Sequence, residues 1–132
     1  LMLLFETLEH LTDPLRFLHT MASDGGIENI LLTVPYRAQS RFGGDLIRRA
    51  ESDIPDRITP EQVHIFELSP EDWQLLARLA GYRTAFCRTY LQYPRHSPYR
   101  MMKPVWRKLD FEGFISLFLQ RDPALSERFS GW

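Results

Sequence analysis

The sequence holds one cysteine, Cys87, too few for an internal disulfide or a cysteine-based zinc cluster. Lysine is nearly absent: fourteen of the sixteen basic residues are arginine, which suits bidentate contacts to carboxylate or phosphate better than lysine does. No apolar run approaches the roughly 20 residues that cross a bilayer. The opening Leu1 to Phe5 is apolar, yet Glu6 and Glu9 follow at once, without a basic stretch or a small-residue cleavage site. It does not read as a signal peptide. There is no internal repeat, no low-complexity tract, no Ser/His/Asp series and no phosphate-binding loop. What remains is an ordinary globular composition, with 44% hydrophobic and 13% aromatic residues in 132. That supports one domain spanning 1–132 around one core, with a cytoplasmic location as the default expectation.

Net charge is −1, but it is unevenly placed. Residues 1–72 carry 13 acidic and 6 basic side chains, whereas residues 73–109 carry 8 basic and none acidic. A solvated surface accounts for such a division without any ligand. Nucleic acid is the alternative partner, because basic groups alternate with rings: Arg83, Arg88, Arg95, Arg100, Lys103, Arg107 and Lys108 among Tyr82, Tyr90, Tyr93, Tyr99 and Trp106. Phe86 and Tyr90 read as core rather than as stacking platform, Cys87 reads as a core residue, and His19 and His96 as ordinary surface histidines.

Hydrophobic patterning gives the order of elements. Leu1–Phe5 lacks alternation, as expected of a strand buried on both faces. Thr12-Asp13-Pro14 starts a helix, with Leu15, Leu18, Met21 and Ala22 on its apolar stripe, and Ser23-Asp24-Gly25-Gly26 stops it. Ile30–Val34, bounded by Asn29 and Pro35, reads as a second strand, parallel to the first. Residues 36–62 form a long connection with a possible short helix near Leu46-Ile47. Ser69-Pro70-Glu71-Asp72 opens a helix that buries Trp73, Leu75, Leu76, Leu79 and Ala80 and ends at Gly81. Thr84–Tyr93 reads as a strand, 94–110 as a loop with a helical turn, and Gly113–Gln120 as a last strand, for which periodicity alone leaves helix open.

One spacing carries chemistry. In Glu6-x-x-Glu9-His10, a helical turn would bring i, i+3 and i+4 to one face. Two carboxylates and an imidazole suit a hard or borderline divalent ion, Mg²⁺ or Mn²⁺. The alternative is a strand-end turn with Glu6 simply solvated.

The ordered series Glu9-His10-Leu11, Gly25-Gly26, Val34-Pro35, His64-Ile65-Phe66 and Ala80-Gly81-Tyr82 resembles the C-terminal half of a class I S-adenosylmethionine-dependent methyltransferase. The likeness covers residues 1–93, leaving 94–132 as a basic loop and a C-terminal strand or tail. It implies an α/β fold: a partial Rossmann-like sheet of strands four to seven, parallel with an antiparallel last strand, and flanking helices. It also implies transfer of a methyl group from S-adenosylmethionine to an oxygen or nitrogen nucleophile, with residues 36–68 on the acceptor side. The Glu-x-x-Glu-His pattern is similar to that of ubiquinone-biosynthesis O-methyltransferases and of small-RNA 3′-terminal 2′-O-methyltransferases. That similarity adds His64 to Glu6, Glu9 and His10 as a metal tetrad; otherwise His64 is a local hydrogen-bonding residue. The tail 94–132 departs from the RNA enzymes. No G-x-G-x-G turn is present, so the expectation is a domain that lacks its cofactor half and is inactive alone. A sheet cut there would expose an apolar edge, making homo-oligomerisation through residues 1–6 the expected association. A non-catalytic oligomerisation or binding module is the alternative function.

Overall fold

A computed structural model of the chain describes residues 1–44, 46–90, 101 and 113–129. Its strands are β1 (Met2–Phe5), β2 (Asn29–Tyr36), β3 (Arg41–Phe42), β4 (Phe66–Glu67), β5 (Tyr82–Tyr90) and β6 (Gly113–Arg121). Its helices are α1 (Pro14–Ser23), α2 (Pro70–Leu79) and α3 (Pro123–Arg128). The fold is mixed α/β. Four strands form one sheet in the order β1-β2-β6-β5, and β3 pairs with β4 apart from it. β1 runs parallel to β2, while β6 runs antiparallel to both β2 and β5.

β6, near the C-terminus, lies inside the sheet between β2 and β5, and its alternation gives it one buried face. Ile115, Leu117 and Leu119 are fully buried, with Ile30, Leu32 and Val34 of β2 beside them in the same core. Each such aliphatic side chain contributes about 2 kcal/mol on burial. Helices α1 and α2 close that core with Leu18, Ala22, Trp73 and Ala77. Its two polar-tipped rings find partners, as buried rings of this kind generally do. Trp73 Nε1 donates to the Pro35 carbonyl at 3.0 Å, and the Tyr82 hydroxyl to the Ile27 carbonyl at 2.9 Å.

Both helix starts follow the expected chemistry. The Asp13 carboxylate accepts from the Arg16 N–H, and the Ser69 hydroxyl from the Asp72 N–H. Gly81 adopts φ +95°, and a Cβ there would lie 2.3 Å from Ser126 Oγ, so only glycine fits between α2 and β5.

Several expectations are corrected. β1 is an edge strand, not one buried on both faces: Leu1, Leu3 and Phe5 are more than half exposed. β2 continues through Pro35 to Tyr36. Thr33 turns its carbonyl toward Glu6, past the end of β1, and Pro35, two residues on, faces the same side. Among the described residues, no strand reaches Pro35 on that side to need its missing N–H. Leu46-Ile47 lies in a turn rather than a helix. Leu15 and Leu75 are exposed, and Ala77 takes the place expected of Leu75, because Trp73, Ala77 and Ala80 share the inward face. Phe86, Cys87 and Tyr90 are exposed rather than core, since β5 is the other edge strand. The loop expected over 94–110 lies outside the described residues, apart from Met101. Among the described residues, no helix is long and apolar enough to cross a membrane.

Candidate metal centre

The polypeptide leaves β1 through Glu6, which adopts φ +49°, a left-handed conformation unusual for a side-chain-bearing residue. Thr33 stabilises it twice. The Glu6 N–H donates to the Thr33 carbonyl at 2.9 Å, and the Thr33 hydroxyl donates to Glu6 Oε1 at 2.8 Å. The chain then forms a 3-10 turn over Leu8–His10, anchored by the buried Leu8. Such a turn does not put Glu6 on the face shared by Glu9 and His10. Its carboxylate is engaged by Thr33 instead.

Glu9 and His10 meet a segment more than fifty residues away. The Ile65 N–H donates to the Glu9 carbonyl at 2.7 Å, which brings His64 alongside the turn. His10 Nδ1 lies 2.8 Å from the Val63 carbonyl. A carbonyl only accepts, so Nδ1 is the donor, and in the neutral ring Nε2 then holds the lone pair. That Nε2 lies 3.7 Å from Glu9 Oε1. The His10 and His64 rings pack edge to face, 5.1 Å between centroids. One ligand atom each from Glu9, His10 and His64 falls within 4.8 Å of the others. Three of the four expected ligands are thus assembled, with Glu6 outside the group.

Glu9 is the unusual member. Its side chain is fully buried, and neither carboxylate oxygen has a hydrogen-bond partner. Burial pushes its pKa up to about 7, against weaker lowering by its own backbone amide. An unpaired buried carboxylate is costly, and it becomes favourable when a cation shares the site. The orphaned oxygens and two neighbouring imidazoles fit a divalent ion. Two nitrogens and one carboxylate favour Mn²⁺ or another first-row ion over Mg²⁺, which prefers oxygen.

Behind His64 stands a group that the sequence reading missed. Glu67 Oε1 lies 3.5 Å from His64 Nδ1, while Glu67 Oε2 accepts from Arg37 Nε at 2.6 Å and from Arg41 Nε. A carboxylate behind a ligating imidazole orients the ring and raises its basicity. The available signals were the i, i+3 spacing of His64 and Glu67 and the i, i+4 spacing of Arg37 and Arg41. Gly44 completes the packing: a Cβ there would lie 3.0 Å from the His64 carbonyl oxygen and 3.4 Å from Glu67 Oε1.

The basic aromatic stretch is not assembled among the described residues. Tyr82 is fully buried, Tyr90 stacks on Phe114 at 5.8 Å, and Arg83 donates to Gln120. Tyr93, Arg95, His96, Tyr99, Arg100, Lys103, Trp106, Arg107 and Lys108 lie outside the described residues.

Fold and site together define a mixed α/β protein with a buried carboxylate beside two half-buried imidazoles at the exit of a parallel edge strand. No protein-family model, no curated protein and no solved structure matches the chain.

Proposed function

We propose that this chain carries the acceptor side of an S-adenosylmethionine-dependent methyltransferase acting on an oxygen or nitrogen nucleophile, with a divalent ion held by Glu9, His10 and His64. The observation that carries the metal is the fully buried Glu9 carboxylate, without a hydrogen bond at either oxygen and with two imidazoles beside it. The methyltransferase part is supported by the parallel β1–β2 pair, the antiparallel last strand and the meeting of the Glu9-His10-Leu11 turn with His64. His10 presents a fixed Nε2, His64 is backed by Glu67, and Glu9 supplies the negative charge. An ion bound there would act as a Lewis acid on a substrate hydroxyl and ease loss of its proton. No described residue is assigned to S-adenosylmethionine, so no step of methyl transfer is derived from this chain.

Calorimetric titration with Mn²⁺ tests the metal. One site is expected, lost in Glu9→Gln and His64→Ala, retained in Glu6→Gln, and weaker for Mg²⁺. A flat Mn²⁺ titration of the unmodified chain removes the ion from the proposal. The gene sequence upstream of Leu1 tests the rest: an in-frame strand followed by a G-x-G turn supports methyl transfer, and its absence defeats it.

A second reading, a non-catalytic association module, is favoured by one feature. Among the described residues, β1 has no partner on its outer edge, which carries exposed Leu1, Leu3 and Phe5 without charge or proline to block pairing. Sedimentation velocity at tens of micromolar tests it: a monomer throughout removes the module, whereas dimers without Mn²⁺ binding favour it over the metal-bearing reading.

A further inference from the structure

We infer that the sheet face turned away from α1 and α2 docks a second copy of this chain, about a two-fold axis running along the strands. This deepens the association reading and rests on it for the existence of a dimer, but it replaces edge pairing with face packing. It is independent of the metal.

Alternation and register place the residues of that face. Ile30, Leu32 and Val34 of β2 and Ile115, Leu117 and Leu119 of β6 point into the core under the helices. Leu31, Thr33, Ser116 and Phe118 therefore point the other way. The ladder sets them in rows across all four strands. Leu3, Leu31, Phe118 and Phe86 form one row, and Phe5, Thr33, Ser116 and Arg88 the next. Beyond the first row lies a polar margin, where Arg83 donates to Gln120 and Gln120 to Asn29. α3 contacts α1 and α2 on the core side, so among the described residues no helix covers this face. The first row is wholly apolar, and its outer members Leu3 and Phe86 are 55% and 47% exposed. Four strands about 4.8 Å apart and nine residues of β6 at about 3.4 Å each give a face roughly 19 Å by 30 Å. With side-chain relief its accessible area approaches roughly 800 Å² per partner, the size of a standard specific interface.

Charge names the partner. Glu6 accepts from the Thr33 hydroxyl, so its carboxylate lies at the β1 end of the second row. Arg88, exposed on β5, ends the same row at the opposite edge. A two-fold axis parallel to the strands keeps the rows in register and lays β1 of one copy over β5 of the other. Glu6 then meets Arg88 twice, Leu3 meets Phe86 twice, and Leu31 meets Phe118 twice. An axis across the strands would instead set Glu6 against Glu6 and Arg88 against Arg88. Aligned sheets cross at about 30°, an offset at the outer strands that an arginine side chain can span.

The test is sedimentation velocity of the full chain at tens to hundreds of micromolar, where wild type is expected to dimerise. Glu6→Arg and Arg88→Glu each set like charges face to face and should weaken the dimer about tenfold or more. Mixed in equal amounts, the two variants should recover dimers near wild-type strength, because each then meets the opposite charge at both contacts. Phe86→Lys, on the strand farthest from β1, should be monomeric with an unchanged circular dichroism spectrum. The Leu3 and Phe5 amides point away from β2, since the Glu6 N–H bonds to it, and should still exchange rapidly in the dimer. If either charge variant loses its fold, Phe86→Lys and the amide exchange decide alone. A monomer throughout removes both this docking and the association reading. A dimer that survives Phe86→Lys and protects the Leu3 and Phe5 amides keeps association through the edge and overturns the face. Folded charge variants that fail to recover a dimer on mixing overturn the two-fold arrangement.

Discussion

Glu9 and Glu67 are both buried carboxylates beside His64, and the fold treats them oppositely. Glu67 meets two guanidinium groups, Arg37 and Arg41, so its burial is compensated inside the protein. Glu9 has no hydrogen-bond partner at either oxygen, and burial holds its pKa near 7. The first carboxylate is part of the frame that ties the 36–44 loop to β4. The second is a liability to the folded chain unless a cation joins it. That contrast, more than the presence of acidic residues near histidines, marks the Glu9 end as the binding end.

The largest expected effect breaks the satisfied side. Glu67→Ala leaves Arg37 and Arg41 without their shared carboxylate and should cost about 3 kcal/mol in urea unfolding. Glu67→Gln, which keeps the shape, should lower Mn²⁺ affinity about tenfold through His64. An unchanged unfolding midpoint in Glu67→Ala would erase the distinction between the two carboxylates.

The next effect lies on the unsatisfied side and is read by pH in metal-free protein. Unfolded, Glu9 ionises near 4.5; folded, it keeps its proton to about 7. Between those values the folded chain holds a proton that the unfolded chain has lost. Stability from this group therefore falls as pH rises through the window and levels off above it. The loss is on the order of 2 kcal/mol, and Glu9→Gln should abolish it. Urea unfolding at pH 5 and pH 8 checks this. An identical pH response in wild type and Glu9→Gln would mean that Glu9 is solvated after all.

The legibility of these features in the sequence follows their range. The last segment, Gly113–Gln120, read as a strand with helix left open by periodicity, is β6. The caps at Asp13 and Ser69 rest on local chemistry and the parallel β1–β2 pair on the strand–helix–strand order, and these were readable. The placing of β6 between β2 and β5 was not, because alternation shows which face is buried and not which strand is the neighbour. That placing makes β5 an edge and exposes Phe86 and Cys87, which apolar character alone assigns to the core. In the site, the pairing of Glu9 with His10 was legible from spacing, and His64 entered only by resemblance. The exclusion of Glu6 depends on its left-handed backbone and on Thr33, 27 residues away. Glu67 stayed hidden because its two arginines sit just after β2 and in the two-residue β3, a stretch whose course no periodicity records.

The smallest effect sharpens the contrast by touching one side alone. Ser69 follows Glu67 by two residues, caps α2 through the Asp72 N–H, and donates its own N–H to Ser40 Oγ at 2.6 Å. Ser40 in turn donates to Asp72, so the frame around Glu67 is tied to the first turn of α2. Ser69→Ala removes the cap and should cost about 1 kcal/mol, read as a lower urea midpoint. The backbone bond to Ser40 survives the substitution, so Glu67 stays roughly in place. Glu9 and His10 are held by the bonds from His10 Nδ1 to the Val63 carbonyl and from the Ile65 N–H to the Glu9 carbonyl, which do not involve the cap. Mn²⁺ affinity in Ser69→Ala should therefore match wild type within about twofold, a difference under 0.5 kcal/mol. A tenfold loss would show that the two carboxylates share one frame and that the division between them is false.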